Sequence, residues 1–157
     1  MNVVLLTVGK TDVPWVKEGL DLYMSRLKHY VPFSVNEIPE LKKVSALSKQ
    51  QIKDKEGELV LKQVGAQDIL ILLDEHGREC RSLEFADFLE KQLSTGAKNL
   101  IFTVGGAYGF SDEVYKRANG KISLSKMTFS HQMVRTIFAE QLYRAFTILK
   151  GEPYHHE

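Results

Sequence analysis

The sequence predicts an α/β protein: a mostly parallel sheet with helices on both faces, in one domain spanning residues 1–157. Three observations lead there. Short apolar runs alternate with amphipathic segments five times over, the pattern of strand–helix units joined by crossovers. The run Asp68–Leu73 is almost wholly apolar, as in a strand covered from both sides. And 157 residues suffice for one real core but not comfortably for two.

Val3–Val8 reads as the first buried strand, followed by a turn at Gly9–Thr11. Asp12 is expected to cap a helix with Pro14 in its first turn, where a missing N–H costs nothing. Val16, Leu20, Tyr23 and Leu27 give that helix its apolar stripe, and Val31-Pro32 closes it. Phe33–Ile38 is the second strand, ended by Pro39, and residues 40–47 read as a mobile loop. Ser48 and Gln51 form a capping box for a helix running to Val64, with Gly65 as its stop. The strand Asp68–Leu73 follows. Ser82 then opens a helix burying Phe85, Phe88, Leu89 and Leu93. Asn99–Val104 is a strand ending in Gly105-Gly106-Ala107-Tyr108-Gly109. Ser111-Asp112-Glu113 starts a short helix that stops at Asn119-Gly120. Ile122–Leu124 is the last strand, and a long helix runs from about His131 to Lys150. Ligands of such sheets bind beyond the carboxyl ends of strands, which singles out the loops after Leu73, Val104 and Leu124.

Composition narrows the function classes. Apolar residues make up 43% and charged residues 26%, ordinary for a folded soluble protein. The longest apolar runs, Val3–Leu6 and Ile69–Leu73, are far too short to span a membrane. Met1 leads into one of them without a basic flank or cleavage site, so no secretory leader is expected. The single cysteine, Cys80, has no internal partner, which fits a reducing, cytoplasmic setting. Net charge is only +1, but it is unevenly placed. Residues 1–113 carry 14 Lys and Arg against 17 Asp and Glu, while residues 114–157 carry 7 against 3. A basic C-terminal quarter on an acidic body points to one anion-facing surface.

Several motifs are decoys. Gly9-Lys10-Thr11 has Val4 where a phosphate-binding loop needs its first glycine. The glycine run at 105–109 departs from the dinucleotide pattern because position 107 is Ala, yet three glycines in five residues mean a tight turn and a close approach. Adjacent His155 and His156 point apart, so no metal site is expected. The last helix carries Met133, Val134, Ile137, Phe138, Leu142, Tyr143, Phe146, Ile148 and Leu149, more than one stripe. A second copy of the chain is the simplest cover for the surplus. Arg135, Glu140, Gln141 and Arg144 thread through that surface and must be paired or face a polar cleft.

Taken together, the residues resemble the RlmH (YbeA-like) family, the ribosomal RNA large subunit methyltransferases H of the SPOUT superfamily. The likeness runs through Val8-Gly9-Lys10, Lys55-Glu56-Gly57, Leu72-Leu73-Asp74 and Val104-Gly105-Gly106 with Gly109. It continues through Leu124–Arg135, Glu140–Ala145 and Pro153-Tyr154-His155. The resemblance implies a deep C-terminal trefoil knot and a cleft for S-adenosyl-L-methionine. Its expected walls are Leu73, Gly105, Leu124, Ser125, Lys126, Met127, Thr128 and Phe129. It also implies a homodimer that methylates N3 of a pseudouridine in helix 69 of large-subunit rRNA, within the assembled ribosome. Two positions depart from the family pattern: Ser130 stands where many members have Pro, loosening the start of the last helix, and His156 replaces a usual Arg or Lys.

Methyl transfer to an imide nitrogen asks the protein for positioning and for removal of a proton. His131, Tyr154 and His155 are candidates for the base, and Arg135 or Arg144 for the group that stabilises the imide anion. The sequence does not choose among them, and either role can fall to the second subunit. A non-catalytic module that holds the cofactor or the ribosome is the alternative of a different class.

Overall fold

In the computed structural model, which describes residues 1–156, the elements follow one another in the expected order. They are β1 (Asn2–Val8), α1 (Pro14–Leu27), β2 (Phe33–Ile38), α2 (Lys49–Lys62), β3 (Ile69–Glu79), α3 (Ser82–Leu93), β4 (Asn99–Val104), α4 (Asp112–Arg117), β5 (Gly120–Ser123) and α5 (Met133–Leu149). A single 3-10 turn, Val44–Ala46, interrupts the stretch read as a loop. Among the described residues the sheet has the order β2-β1-β4-β3-β5 and every strand pair is parallel.

The pleat divides the core in two. Val3, Leu5, Ile69, Ile71, Leu100 and Phe102 face one side, where they meet Leu27 of α1, Phe85 and Leu89 of α3, and Phe138 and Leu142 of α5. Val4, Leu6, Leu70, Leu72 and Ile101 face the other, against Val60 of α2 and Val114 of α4. Both faces are thus covered, which is why these strands tolerate unbroken apolar runs. The surplus of apolar residues on α5 is met largely inside the chain, because α5 packs on the sheet and between α1 and α3. Within α5 the large apolar residue left well exposed is Met133. Trp15 and Leu22 on α1 are exposed as well.

Three expectations are corrected. Asp12 does not cap α1; the N-cap is Val13, which makes no side-chain cap. The orphan donors there are met from the far end of the chain, where Gln132 Oε1 accepts from the N–H of Asp12 at 3.0 Å and of Val13 at 3.4 Å. Next, β3 does not stop at Leu73 but runs on to Glu79, with Leu73 and Arg78 both aligned with Ile122. Gly77 allows this bulge, since a Cβ there would come within 2.7 Å of Ile122 N. Finally, β5 begins earlier than the apolar run: Asn119 accepts from Leu70 N–H at 2.9 Å and donates its own N–H to Leu70 O at 2.8 Å, pinning β5 to β3. The Ser48–Gln51 capping box forms as read.

Candidate active site

Parallel strands leave the sheet on one edge, so β3, β4 and β5 deliver their next loops side by side. Leu73 is in register with both Val104 and Ile122. Beyond them opens a cavity of about 230 Å³. Of the eight residues expected to hold a cofactor, seven line it: Leu73, Gly105, Leu124, Ser125, Met127, Thr128 and Phe129. Lys126 does not; its ammonium turns out to Glu79 at 3.6 Å, both side chains being well exposed.

The β4 wall is backbone. Gly109 donates to Gly106 O at 3.1 Å, and its φ of 84° closes a turn that a side chain would strain. At Gly106 the Glu56 carboxylate lies close behind the backbone, where a Cβ would displace it. Burial, and secondarily Glu40, push the Glu56 pKa upward. Among the described residues its buried Oε1 has no hydrogen-bond partner. Gly105 does not have a left-handed backbone; a Cβ there would press on the Phe110 ring at 3.3 Å. The wall thus presents backbone amides and carbonyls to the cavity.

The β5 wall, residues 124–131, is held by hydroxyls. Ser123 donates to Ser125 O at 2.8 Å, and Ser125 Oγ accepts from Met127 N–H at 2.9 Å. Thr128 donates to Glu75 Oε2 at 3.0 Å, bridging to the β3 wall. Ser130 Oγ accepts from Met133 N–H at 3.0 Å, so the start of α5 is secured without proline. His131 lines the cavity.

Asp74, Glu75, Tyr115 and Val134 also line the cavity and were not read from the sequence. Asp74 and Glu75 had a signal, as the residues just past an apolar strand end. Tyr115 had none: its hydroxyl donates to Asp74 Oδ2 at 2.6 Å across 41 residues of chain, and burial followed by that bond pushes its pKa up.

Arg135 is not aimed at the cavity. Only 1% exposed, it donates to Gly9 O at 3.0 Å, Val8 O at 3.1 Å, Thr11 Oγ1 at 2.8 Å and His131 O at 3.0 Å. Glu37 lies 3.5 Å away and is the partner that offsets burial. The guanidinium satisfies the carbonyls left at the end of β1 and ties them to α5.

The other candidates gather at the opposite end of α5. Arg144 pairs with Glu140, reaches His155 Nδ1 at 3.1 Å, and lies over the Tyr154 ring at 4.7 Å. The Glu140 bond holds the Arg144 pKa above its usual range. Burial, then the contact with Tyr23, push the Tyr154 pKa up as well. From His131 to Arg144 a helix rises roughly 20 Å, so one chain holds two separate sets of candidates.

Among the described residues no helix is long and apolar enough to cross a membrane, and no group of three or more metal-ligating side chains occurs. An all-parallel sheet whose glycine-walled cleft opens at the strand ends places the chain in the class of α/β proteins that bind a ligand beyond the carboxyl ends of their strands. The family described as "Predicted SPOUT methyltransferase" matches residues 1–155. A ribosomal RNA large subunit methyltransferase H of Parabacteroides distasonis is 55% identical over 157 residues, all of both chains. Proteins of that name from Christiangramia forsetii and Bacteroides thetaiotaomicron are 55% identical over 99% of each chain and 54% identical over 100% of each. The chain belongs to the SPOUT methyltransferase family, within its ribosomal RNA large subunit methyltransferase H branch, and is an enzyme of that kind. Membership is consistent with the expected trefoil knot.

Proposed function

We propose that this protein transfers a methyl group from S-adenosyl-L-methionine to N3 of a pseudouridine in helix 69 of large-subunit rRNA, acting as a cytoplasmic homodimer on the assembled ribosome. The observation that carries the reading is the convergence of Leu73, Gly105 and the 124–129 loop on one cavity. Leu73, Leu124, Met127 and Phe129 offer apolar faces to an adenine and a thioether chain, while the 105–109 backbone offers hydrogen bonds.

The bound donor supplies an activated methyl on a sulfonium. What remains for the protein is alignment, exclusion of water and loss of the imide proton. His131 stands at the cavity and can take that proton directly or through water. Arg144, steadied by Glu140 and Tyr154, is the cation suited to an imide anion, with His155 beside it. Because Arg144 lies far along α5 from its own cavity, a second copy packed antiparallel through the Trp15–Leu22 face of α1 and Met133 of α5 would bring it to the neighbouring cleft. Such an interface should bury about 800 Å² per chain. A monomer by sedimentation equilibrium at low micromolar concentration would contradict the composite site.

The basic tail quarter is small, so a bare hairpin would be held weakly and a preformed ribosomal surface better. Pseudouridine differs from uridine by an extra ring N–H, which a matching acceptor can read. The test incubates the protein with labelled S-adenosyl-L-methionine and ribosomes from cells lacking the activity, beside separated subunits, naked rRNA and ribosomes without pseudouridine. Label at one pseudouridine, in assembled ribosomes only, is expected. Equal labelling of uridine, or efficient labelling of naked rRNA, contradicts the assignment.

A further inference from the structure

One aromatic ring beside the cavity has no task in the chemistry above. Tyr108 occupies the tip of the turn closed by Gly106 and Gly109, and its side chain is 44% exposed. Its neighbours Ala107 and Gly109 line the cavity, whereas Tyr108 does not. The ring therefore stands on the rim, outside the space a cofactor would fill. Among the described residues its hydroxyl makes no hydrogen bond and its ring meets no other ring. Its one aromatic contact is with Lys49, whose Nζ sits 5.6 Å from the ring centroid. The other cleft-side aromatics are engaged: Tyr115 bonds Asp74 and packs edge-on against Phe110.

Lys49 opens α2, and Lys53 follows one turn later on the same face. Lys53 borders the crevice behind the glycine turn, with Gly106 and Gly109. Among the described residues neither lysine joins an ion pair with a carboxylate. Two ammonium groups without a carboxylate partner therefore flank an exposed ring on the glycine turn, within residues 1–113, whose net charge is negative. Keeping a ring in water at the lip of a transfer cleft has a use when the substrate is a base that must leave its stack. Its neighbour then needs a new π-face, and its phosphates need cations.

We propose that Tyr108, with Lys49 and Lys53, forms a platform that stacks the nucleotide flanking the target base and holds its phosphates, keeping the RNA loop open over the cleft. The inference rests on the RNA-methylation reading. It makes Tyr108 a positioning residue for RNA, with no part in cofactor binding.

The test measures methylation kinetics on ribosomes and, separately, calorimetric affinity for S-adenosyl-L-methionine. Tyr108→Ala should raise KM for ribosomes by about 5- to 150-fold, the range for losing one base–aromatic stack, with cofactor affinity within about twofold. Tyr108→Phe should restore KM, because stacking does not need the hydroxyl; a merely structural role for the phenol would not be rescued this way. Lys49→Gln with Lys53→Gln should reduce the salt dependence of ribosome binding by about one ion equivalent, from roughly 0.7 per single-strand phosphate contact. An unchanged KM in a folded, active Tyr108→Ala protein overturns the platform and leaves the methylation reading standing. Weakened cofactor binding in that variant overturns it too, by assigning the ring to the cofactor. If the unsubstituted protein labels no rRNA, the methylation reading falls and the platform falls with it.

Discussion

The two ends of α5 are built for different work. At its N-terminal end, residues 124–134 wrap an apolar, glycine-backed cavity, and the buried cation that follows, Arg135, is spent on carbonyls of its own chain. At its C-terminal end, Arg144, Glu140, Tyr154, Tyr23 and His155 form a polar knot of side chains whose cation is not fully enclosed. Charge that is buried and fully bonded holds a fold, whereas charge that keeps a face toward solvent is available to a substrate. The two arginines, nine positions apart in the sequence, differ because of what surrounds them: Arg135 is enclosed and fully bonded, whereas Arg144 keeps part of its side chain open to solvent.

Breaking the cleft end should cost stability. Arg135→Met leaves the Val8 carbonyl without its donor and takes the guanidinium from the Gly9 carbonyl and the Glu37 carboxylate. Loss of a buried, bonded charge costs about 3–5 kcal/mol, so urea unfolding should shift by that amount. Breaking the tail end should cost rate. Arg144→Ala is expected to lower kcat about 100-fold while calorimetric cofactor affinity stays within twofold. A large loss of cofactor affinity in that variant would erase the division between the ends. His131→Asn tests whether the histidine at the cavity takes the proton; a fall in kcat of about tenfold or more is expected, with calorimetric cofactor affinity unchanged. The smallest effect is at the seam. Gln132→Ala strands the N–H groups of Asp12 and Val13, and about 1 kcal/mol of thermal or urea stability should be lost.

The order of elements and the three loops of the cavity were legible because each strand is a short apolar run and the parallel sheet sends its strand ends to one edge. What escaped the sequence depends on partners far along the chain. Residues 74–79 carry no apolar period, so nothing local marks them as strand; their pairing rests on Gly77 backing onto Ile122. The cap of α1 comes from Gln132, 120 residues away, while the nearer Asp12 offered the more obvious side chain. Arg135 read as a candidate for anion stabilisation because the carbonyls orphaned at the end of β1 are invisible until the sheet is assembled. Part of the apolar surplus of α5 is explained within the chain, since α1 and α3 pack on either side of it and bury Val134, Phe138, Leu142 and Phe146, while Met133 stays exposed and Ile137, Tyr143, Ile148 and Leu149 half-buried.

The central claim is that the cavity between Leu73, Gly105 and the 124–129 loop holds S-adenosyl-L-methionine. Calorimetric titration of the purified protein with that compound tests it most directly, with Gly105→Val as the paired variant, since its branched side chain would press on Phe110 and deform the wall. The account predicts one site per chain in the unsubstituted protein and at least a tenfold loss of affinity in the folded variant. Binding of equal strength in a folded Gly105→Val protein, or no binding to either, would contradict it.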